Sequence, residues 1–352
     1  MKGLVLSGGF GTRLRPLTYS QQKQLIPVAN KPILFYGIED LIEAGVKEIG
    51  IIVGPNKDQV VNTIKSVEWD AKITFINQDA PLGIAHTIKI SKDFLGNESF
   101  IMYLGDNILK EGVVEHVKDF FDSEYDSSIL LTEVENPSAF GIAELNENKD
   151  ITRLVEKPEN PATNFAVIGV YIFNSNVHKA VDVIQPSHRN QLEITEAIQW
   201  LIDNGYKVKS SFVKNWWKDT GKAEDILHAN QLILDDISHN NLGEIRDSEI
   251  KGRVQISKKT IVENKSTVKG PAIIDENCKI SDSYIGPFTS IGKNCEIVGT
   301  EIEDSIVLDG TKIHNGGRII NSLIGRDVKI AKNDYLPEGR SFVIGDNSEI
   351  FI

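Results

Sequence analysis

From Ile256 onward, aliphatic residues recur in runs spaced by six positions. They run Ile256, Val262, Val268, Ile274 and Ile280, then Ile285, Ile291 and Ile297, then Val307, Ile313 and Ile319, and last Ile324 and Ile330. Four positions after many of them stands a smaller residue: Thr260, Ser266, Ala272, Cys278, Thr289, Cys295, Thr311 and Val328. An amphipathic helix repeats every 3.6 residues and cannot hold this period. An aliphatic residue followed by a small one every six positions predicts a parallel β-helix of hexapeptides, with three hexapeptides closing one triangular coil. The aliphatic side chains then stack inside, and each coil covers its neighbour's apolar face. The pattern begins after about Leu234. It divides the chain into residues 1–238 and a repeat domain at 239–352, with a helix over about 221–236 joining them.

The two cysteines occupy the same hexapeptide slot. They lie one coil apart, less the position lost between Ile280 and Ile285, so they should stack on adjacent coils about 5 Å apart. That spacing is compatible with a disulfide. With no secretory signal at the N-terminus, the reading is free thiols in a reducing cytoplasm.

The first two-thirds alternates strand and helix patterns. Lys2–Ser7 reads as a strand, 31–44 as a helix with Pro32 in its first turn and Gly45 as its stop, and Glu48–Val53 as a buried strand. A helix over 57–67, a strand over 72–76, a helix over 83–95 and a strand at Phe100–Leu104 follow. This alternation predicts a mostly parallel, Rossmann-like α/β sheet, whose ligands sit beyond the carboxyl ends of the strands.

Two such ends carry chemistry. The first strand passes into Ser7-Gly8-Gly9-Phe10-Gly11-Thr12-Arg13-Leu14-Arg15-Pro16. Glycines let backbone N–H groups wrap an anion, and two arginines add forked, permanently charged donors for phosphate oxygens. The turn lacks the Gly-Lys-Ser/Thr ending of a P-loop and the third glycine of a dinucleotide fingerprint, so it reads as a separate kind of triphosphate cradle. Phe100–Leu104 leads to Gly105-Asp106-Asn107. A carboxylate there, with Asp219 of Trp216-Trp217-Lys218-Asp219, suits Mg²⁺, which takes one or two carboxylates together with phosphate oxygens. Glu156-Lys157-Pro158 follows a strand over 151–155, and its lysine offers a compact charge for a second phosphate. Phe140-Gly141 and Gln191-Leu192-Glu193-Ile194-Thr195 add glycine flexibility and a carboxylate suited to sugar hydroxyls.

Together these stretches resemble the sugar-1-phosphate nucleotidylyltransferases, specifically the long-form glucose-1-phosphate thymidylyltransferases. The matching segments are the glycine turn from Leu6 to Pro16, Lys23-Gln24-Leu25-Ile26-Pro27, Leu104 to Asn107, Val155 to Pro158, Leu192 to Thr195 and Trp217 to Gly221, in the family's order. The resemblance implies transfer of a thymidylyl group from dTTP to glucose 1-phosphate with Mg²⁺. It also makes the β-helix left-handed, and the repeat domain reads as an oligomerisation and stabilising domain of a homo-oligomer. Leu6, Gly8, Gly9, Gly11, Thr12, Arg13 and Lys23 look like the triphosphate cradle. Gln24 and Gln78 stand where the family reads the base, with Gly83 beside it. Phe140, Gly141, Glu156, Lys157, Val167, Gly169 and Glu193 fall at sugar and sugar-phosphate positions. Asp106 and Asp219 look like the Mg²⁺ ligands, and Arg13, Lys23 and Lys157 carry the catalytic charge. Arg189-Asn190-Gln191 stands where the family often has Arg-Gly-Glu.

The alternatives are a UTP-using or amino-sugar-phosphate enzyme, a bifunctional acetyltransferase, and a non-catalytic nucleotide-sugar-binding subunit. Acetyl transfer usually needs a histidine base. His314 is the one histidine after His239, and it follows inward Ile313, so it should face outward. A net charge of -12 excludes a basic nucleic-acid surface and makes any phosphate site a local cationic patch. No apolar run reaches the length needed to span a bilayer.

Overall fold

The computed structural model describes residues 1–332 and 345–350. Its contacts gather into two units. One comprises Met1–Phe10, Gln22–Leu25 and Ile33–Asp219; the other comprises Gly11–Gln21, Ile26–Pro32 and the chain from Thr220. No helix among the described residues is long and apolar enough to cross a membrane.

The first unit is a Rossmann-like sheet. Lys2–Ser7 pairs in parallel with both Glu48–Val53 and Phe100–Leu104, and Glu48–Val53 pairs in parallel with Lys72–Asn77. Successive side chains on a strand face opposite sides. Leu4 and Leu6 therefore join Phe100 and Met102 in one core, while Val5 joins Ile101 and Tyr103 in the other.

Beyond Phe100–Leu104 the sheet departs from the expected mostly parallel arrangement. Phe165–Phe173 runs antiparallel to Phe100–Leu104, to Ser127–Glu133 and to Gly141–Leu145, so the sheet is mixed. A parallel pair needs a crossover of a dozen or more residues. Gly141–Leu145 and Ile151–Glu156 are joined instead by a turn in which Asn146 Oδ1 accepts the N–H groups of Asn148 and Asp150.

Two helices also differ from their patterns. The expected 31–44 helix spans Ile33–Glu43, and Lys31–Pro32 pairs with Pro27–Val28 around Ala29 and Asn30, both left-handed. Such a two-residue turn suits a hairpin. The expected 83–95 helix is two helices, Ile84–Ile90 and Lys92–Leu95, broken where Ser91 Oγ donates to Thr87 O. That bond offers the backbone an alternative to the helical ladder.

In the second unit, short strands stack in parallel at the predicted repeat. Ile256 pairs with Ile274, Ile274 with Ile291, Ile291 with Val307, and Val307 with Ile324. A second file runs Val262, Ile280, Ile297, Ile313 and Ile330. A third runs Val268, Ile285, Ile302 and Ile319. The three files bury one another along the stack. Cys278 and Cys295 precede the paired residues Lys279 and Glu296, so they sit on adjacent coils as free, buried thiols. The neighbouring sulfur and burial push the Cys278 thiol well up. His314 faces outward, its Nε2 3.6 Å from Glu296.

The helix Ala223–Leu234 packs on this unit through Asn230, which is fully buried. Its Oδ1 accepts from the Ala29 N–H at 2.9 Å and from Ser290 Oγ at 2.7 Å, while its Nδ2 donates to Phe288 O at 3.0 Å.

Candidate active site

A cavity of about 400 Å³ opens at the carboxyl ends of the parallel strands of the first unit. The strand Lys2–Ser7 delivers Gly8 and Gly9, and its neighbour delivers Gly54. A Cβ on Gly54 would stand 2.7 Å from Gly8 O, so the two strand ends approach too closely for any side chain.

Gln24, Gln78 and Gly83 line the cavity with Leu6, Gly8 and Gly9. Gly83 has φ +106, and a Cβ there would fall 2.3 Å from Leu192 O. Glycine lets this segment zip against Leu192. The Leu192 N–H donates to Leu82 O at 2.8 Å, and the Ala85 N–H donates to Leu192 O at 3.1 Å. The segment beside the predicted base residues is thereby tied to the one that carries Glu193.

Phe140, Gly141, Glu156, Lys157, Val167 and Glu193 also line the cavity, as expected, and so does Arg189. Arg189 received no role in the sequence reading. Its Nη2 donates to Glu193 Oε2 at 2.9 Å and to Glu156 Oε1 at 3.2 Å, and its Nε donates to Glu193 Oε1 at 3.1 Å. Arg189, the one position this segment shares with Arg-Gly-Glu, thus supplies the cation that holds both sugar-side carboxylates. Ser187 Oγ adds a donor to Glu193 at 2.8 Å. Burial, Glu193 and Glu156 together raise the Glu196 carboxyl, a sign of how acidic this wall is. Lys157 adopts a left-handed φ of 45, rare for a residue with a Cβ, and its N–H donates to Phe140 O at 3.0 Å. Backbone strain of this kind is kept where the surroundings enforce it, and it clusters at functional sites.

Asp106 completes the wall, and Lys23 stands beside it. Lys23 Nζ lies 2.6 Å from Asp106 Oδ2 and 3.8 Å from Asp219 Oδ1. The antiparallel pairing of Asn107 with Asp219 brings the two carboxylates together. Asn107, quoted in the sequence motif without a role, aims them. Its Nδ2 donates to Asp106 Oδ1 at 2.9 Å, and its Oδ1 accepts from Trp217 Nε1 at 2.6 Å and from the Gly169 N–H at 3.3 Å. A Cβ on Gly169 would stand 2.7 Å from the Asn107 side chain, so glycine is required to seat that amide. Gly169, Lys23 and Asp219 are not among the residues that line the cavity. Gly11, Thr12 and Arg13 belong to the second unit, where Gly11 has φ +61, Thr12–Leu14 forms a single 3₁₀ turn and Arg13 is exposed.

Two hard-oxygen carboxylates sharing one ammonium form a donor set that accepts a cation. Among the described residues, no group of three or more His, Cys, Asp or Glu gathers to make an all-protein metal cage. The pair fits Mg²⁺, which keeps most of its coordination for water and phosphate.

The nucleotidyl transferase family matches residues 2–236, and the GMPPB C-terminal domain matches residues 268–350. The chain belongs to the nucleotidyl transferase family. It is 46% identical to the low-salt glycan biosynthesis nucleotidyltransferase Agl11 of Haloferax volcanii, covering 99% of each chain. It is 44% identical to the glucose-1-phosphate thymidylyltransferase of Streptomyces antibioticus, covering all of this chain and 99% of the other. A solved UDP-glucose pyrophosphorylase in complex with UDP-glucose superposes on 66% of this chain and 98% of its own, with a TM-score of 0.61 at 25% identity.

Proposed function

We propose that this protein transfers a thymidylyl group from dTTP to glucose 1-phosphate, giving dTDP-glucose and pyrophosphate. One observation carries the reading. A single cavity is lined by two glutamine amides, by Glu156, Lys157, Arg189 and Glu193, and by Asp106. Amides suit a base, while carboxylates beside cations suit a sugar bearing a phosphate. The full-length likeness to a glucose-1-phosphate thymidylyltransferase supports the same choice.

An oxygen of the sugar phosphate forms a bond to the α-phosphorus of dTTP, the bond to the bridging oxygen breaks, and pyrophosphate leaves with that electron pair. The attacking oxygen is already anionic, so no side chain need remove a proton. The task of the protein is to bring two anions together in line and to offset charge growing on the transferred phosphorus. Lys157 holds the attacking phosphate, while Glu156 and Glu193 hold sugar hydroxyls. Gly8 and Gly9 leave room for phosphate oxygens, and Lys23 supplies charge on the leaving side. Phe140, Gly141, Val167 and Gly169 shape the sugar end. Asp106 and Asp219 would hold Mg²⁺, which would supply charge neutralisation to the phosphate oxygens.

The proposed setting is the cytoplasm. The repeat domain, 239–352, is proposed to be a left-handed hexapeptide β-helix that assembles copies of the chain. The test is pyrophosphate release with Mg²⁺ across nucleoside triphosphates and sugar 1-phosphates. Strong release with dTTP and glucose 1-phosphate is expected. No release with any pair would overturn the enzyme reading, and a dominant preference for another nucleotide would replace the first substrate.

A further inference from the structure

The two glutamines of the cavity have amide polarities that follow from their partners. An amide offers a carbonyl oxygen at one end and two N–H donors at the other, and the end facing a ligand decides what is recognised. At Gln78, Nε2 lies 3.3 Å from Gly83 O and 3.2 Å from Nδ1 of His86. A backbone carbonyl can only accept, so the NH₂ group faces that way. Its second hydrogen meets His86 Nδ1, which must accept; the ring proton of His86 therefore sits on Nε2. Gln78 Oε1 is the end left over. A Cβ on Gly8 would stand 3.2 Å from that oxygen, so the glycine keeps it approachable.

At Gln24 the polarity is reversed. Gln22 Nε2 donates to Ser7 O at 3.0 Å and to Gly9 O at 2.8 Å, and these two carbonyls fix which end of Gln22 is the NH₂. The same nitrogen donates to Gln24 Oε1 at 2.9 Å. Gln24 thus accepts with its oxygen and turns its NH₂ the other way, at 4.0 Å from where a Cβ on Gly9 would be. Gln22 is itself buried, and it accepts from Asn56 Nδ2 at 3.3 Å.

Resting on the reading of this end of the cavity as the base site, we infer that Gln22 and His86 are positioning residues. They lock the amide pair as one acceptor, Gln78 Oε1, and one donor, Gln24 Nε2, and so select a base whose ring N–H is flanked by a carbonyl. Thymine and uracil present that edge through N3–H and O4. Cytosine presents a bare ring nitrogen beside an NH₂ group, which sets acceptor against acceptor and donor against donor. A mismatched buried polar pair is rejected more strongly than a missing methyl group. Removing the acceptor on His86 leaves Gly83 O alone to hold the Gln78 amide, which loosens its orientation and blurs the choice.

The test compares His86→Phe with His86→Asn. Asn Oδ1 is as many bonds from the backbone as His Nδ1, so the asparagine can still accept from Gln78, whereas phenylalanine cannot. Steady-state rates are measured for each variant with dTTP, UTP and CTP at saturating glucose 1-phosphate and Mg²⁺. His86→Phe should raise KM for dTTP and UTP about tenfold, the worth of one ordinary hydrogen bond. It should leave kcat within about twofold and narrow the preference over CTP, while His86→Asn should restore KM to within about twofold of the parent. The inference is overturned if His86→Phe keeps the parent KM and base preference, or if His86→Asn is as impaired as His86→Phe. Parent protein that turns over no thymine or uracil nucleotide would instead overturn the base-site reading, and the inference with it.

Discussion

Replacing Asp106 by Asn separates the chemistry of the site from its stability. Asp106 Oδ2 is 2.6 Å from Lys23 Nζ, and the side chains are 24% and 7% exposed. Breaking a buried ion pair by removing one partner costs about 3–5 kcal/mol. Three features reduce that figure here. Asp219 remains 3.8 Å from the same ammonium, Asp106 keeps some contact with water, and the Asn oxygen can still accept. A cost of about 1–2 kcal/mol follows. At about 2–4 °C per kcal/mol for a domain of this size, the thermal midpoint should fall by roughly 2–8 °C. Turnover should suffer far more. Deleting one group aimed at developing charge costs about 2.7–4 kcal/mol of barrier, or roughly 10²–10³ in kcat. The assay pairs pyrophosphate release at saturating substrates with thermal unfolding of the ligand-free protein. A kcat within about threefold of the parent would refute the role given to Asp106. A folded variant with both losses near the stated sizes would support it.

Three further outcomes are expected. Asn230→Ala leaves the Ala29 N–H, the Ser290 hydroxyl and the Phe288 carbonyl without a buried partner, so chemical denaturation should register a loss of about 2–4 kcal/mol; an unchanged midpoint would contradict the packing described. Burial holds His86, His116 and His178 below the ordinary histidine value, so each binds fewer protons folded than unfolded. Stability should therefore decline as pH falls from about 7 to about 5, and replacing the three with Gln should flatten that decline in thermal melts. Cys278 and Cys295 are buried free thiols, so alkylation without reductant should add no mass to the native protein and two adducts once it is denatured; absence of adducts after denaturation would mean a disulfide.

The stacked parallel strands were legible because each buries its side chains against the next, which leaves a short period in the sequence. Every aliphatic position read from that period lies in one of the three files. Ile302 was missed because the coil around it shortens: Ile291 pairs with Val307 rather than with a residue a full coil further on. In the first unit, Glu48–Val53 and Phe100–Leu104 could be bounded because buried strands are short unbroken apolar runs. Strand direction was not readable in the same way. The antiparallel course of Phe165–Phe173 depends on connections between elements rather than on the composition of the strand itself.

Thirteen of the residues given a site role from the sequence line one cavity, since strand ends and glycine turns carry local signals. Gln22 and His86 carry none. Their roles come from partners far along the chain or from the orientation of an amide, neither of which leaves a period or a motif. The grouping of Gly11–Gln21 and Ile26–Pro32 with the repeat unit was equally hidden, because it interrupts a stretch that reads as one continuous domain.

The central claim is that an oxygen of the sugar phosphate forms the new bond to the α-phosphorus of the nucleotide, and oxygen tracing tests it most directly. Glucose 1-phosphate labelled with ¹⁸O in all four phosphate oxygens is turned over with unlabelled dTTP and Mg²⁺, and both products are weighed by mass spectrometry. The account predicts that dTDP-glucose retains the whole label and that pyrophosphate carries none. Label in the pyrophosphate, or loss of one labelled oxygen from the sugar nucleotide, would contradict it.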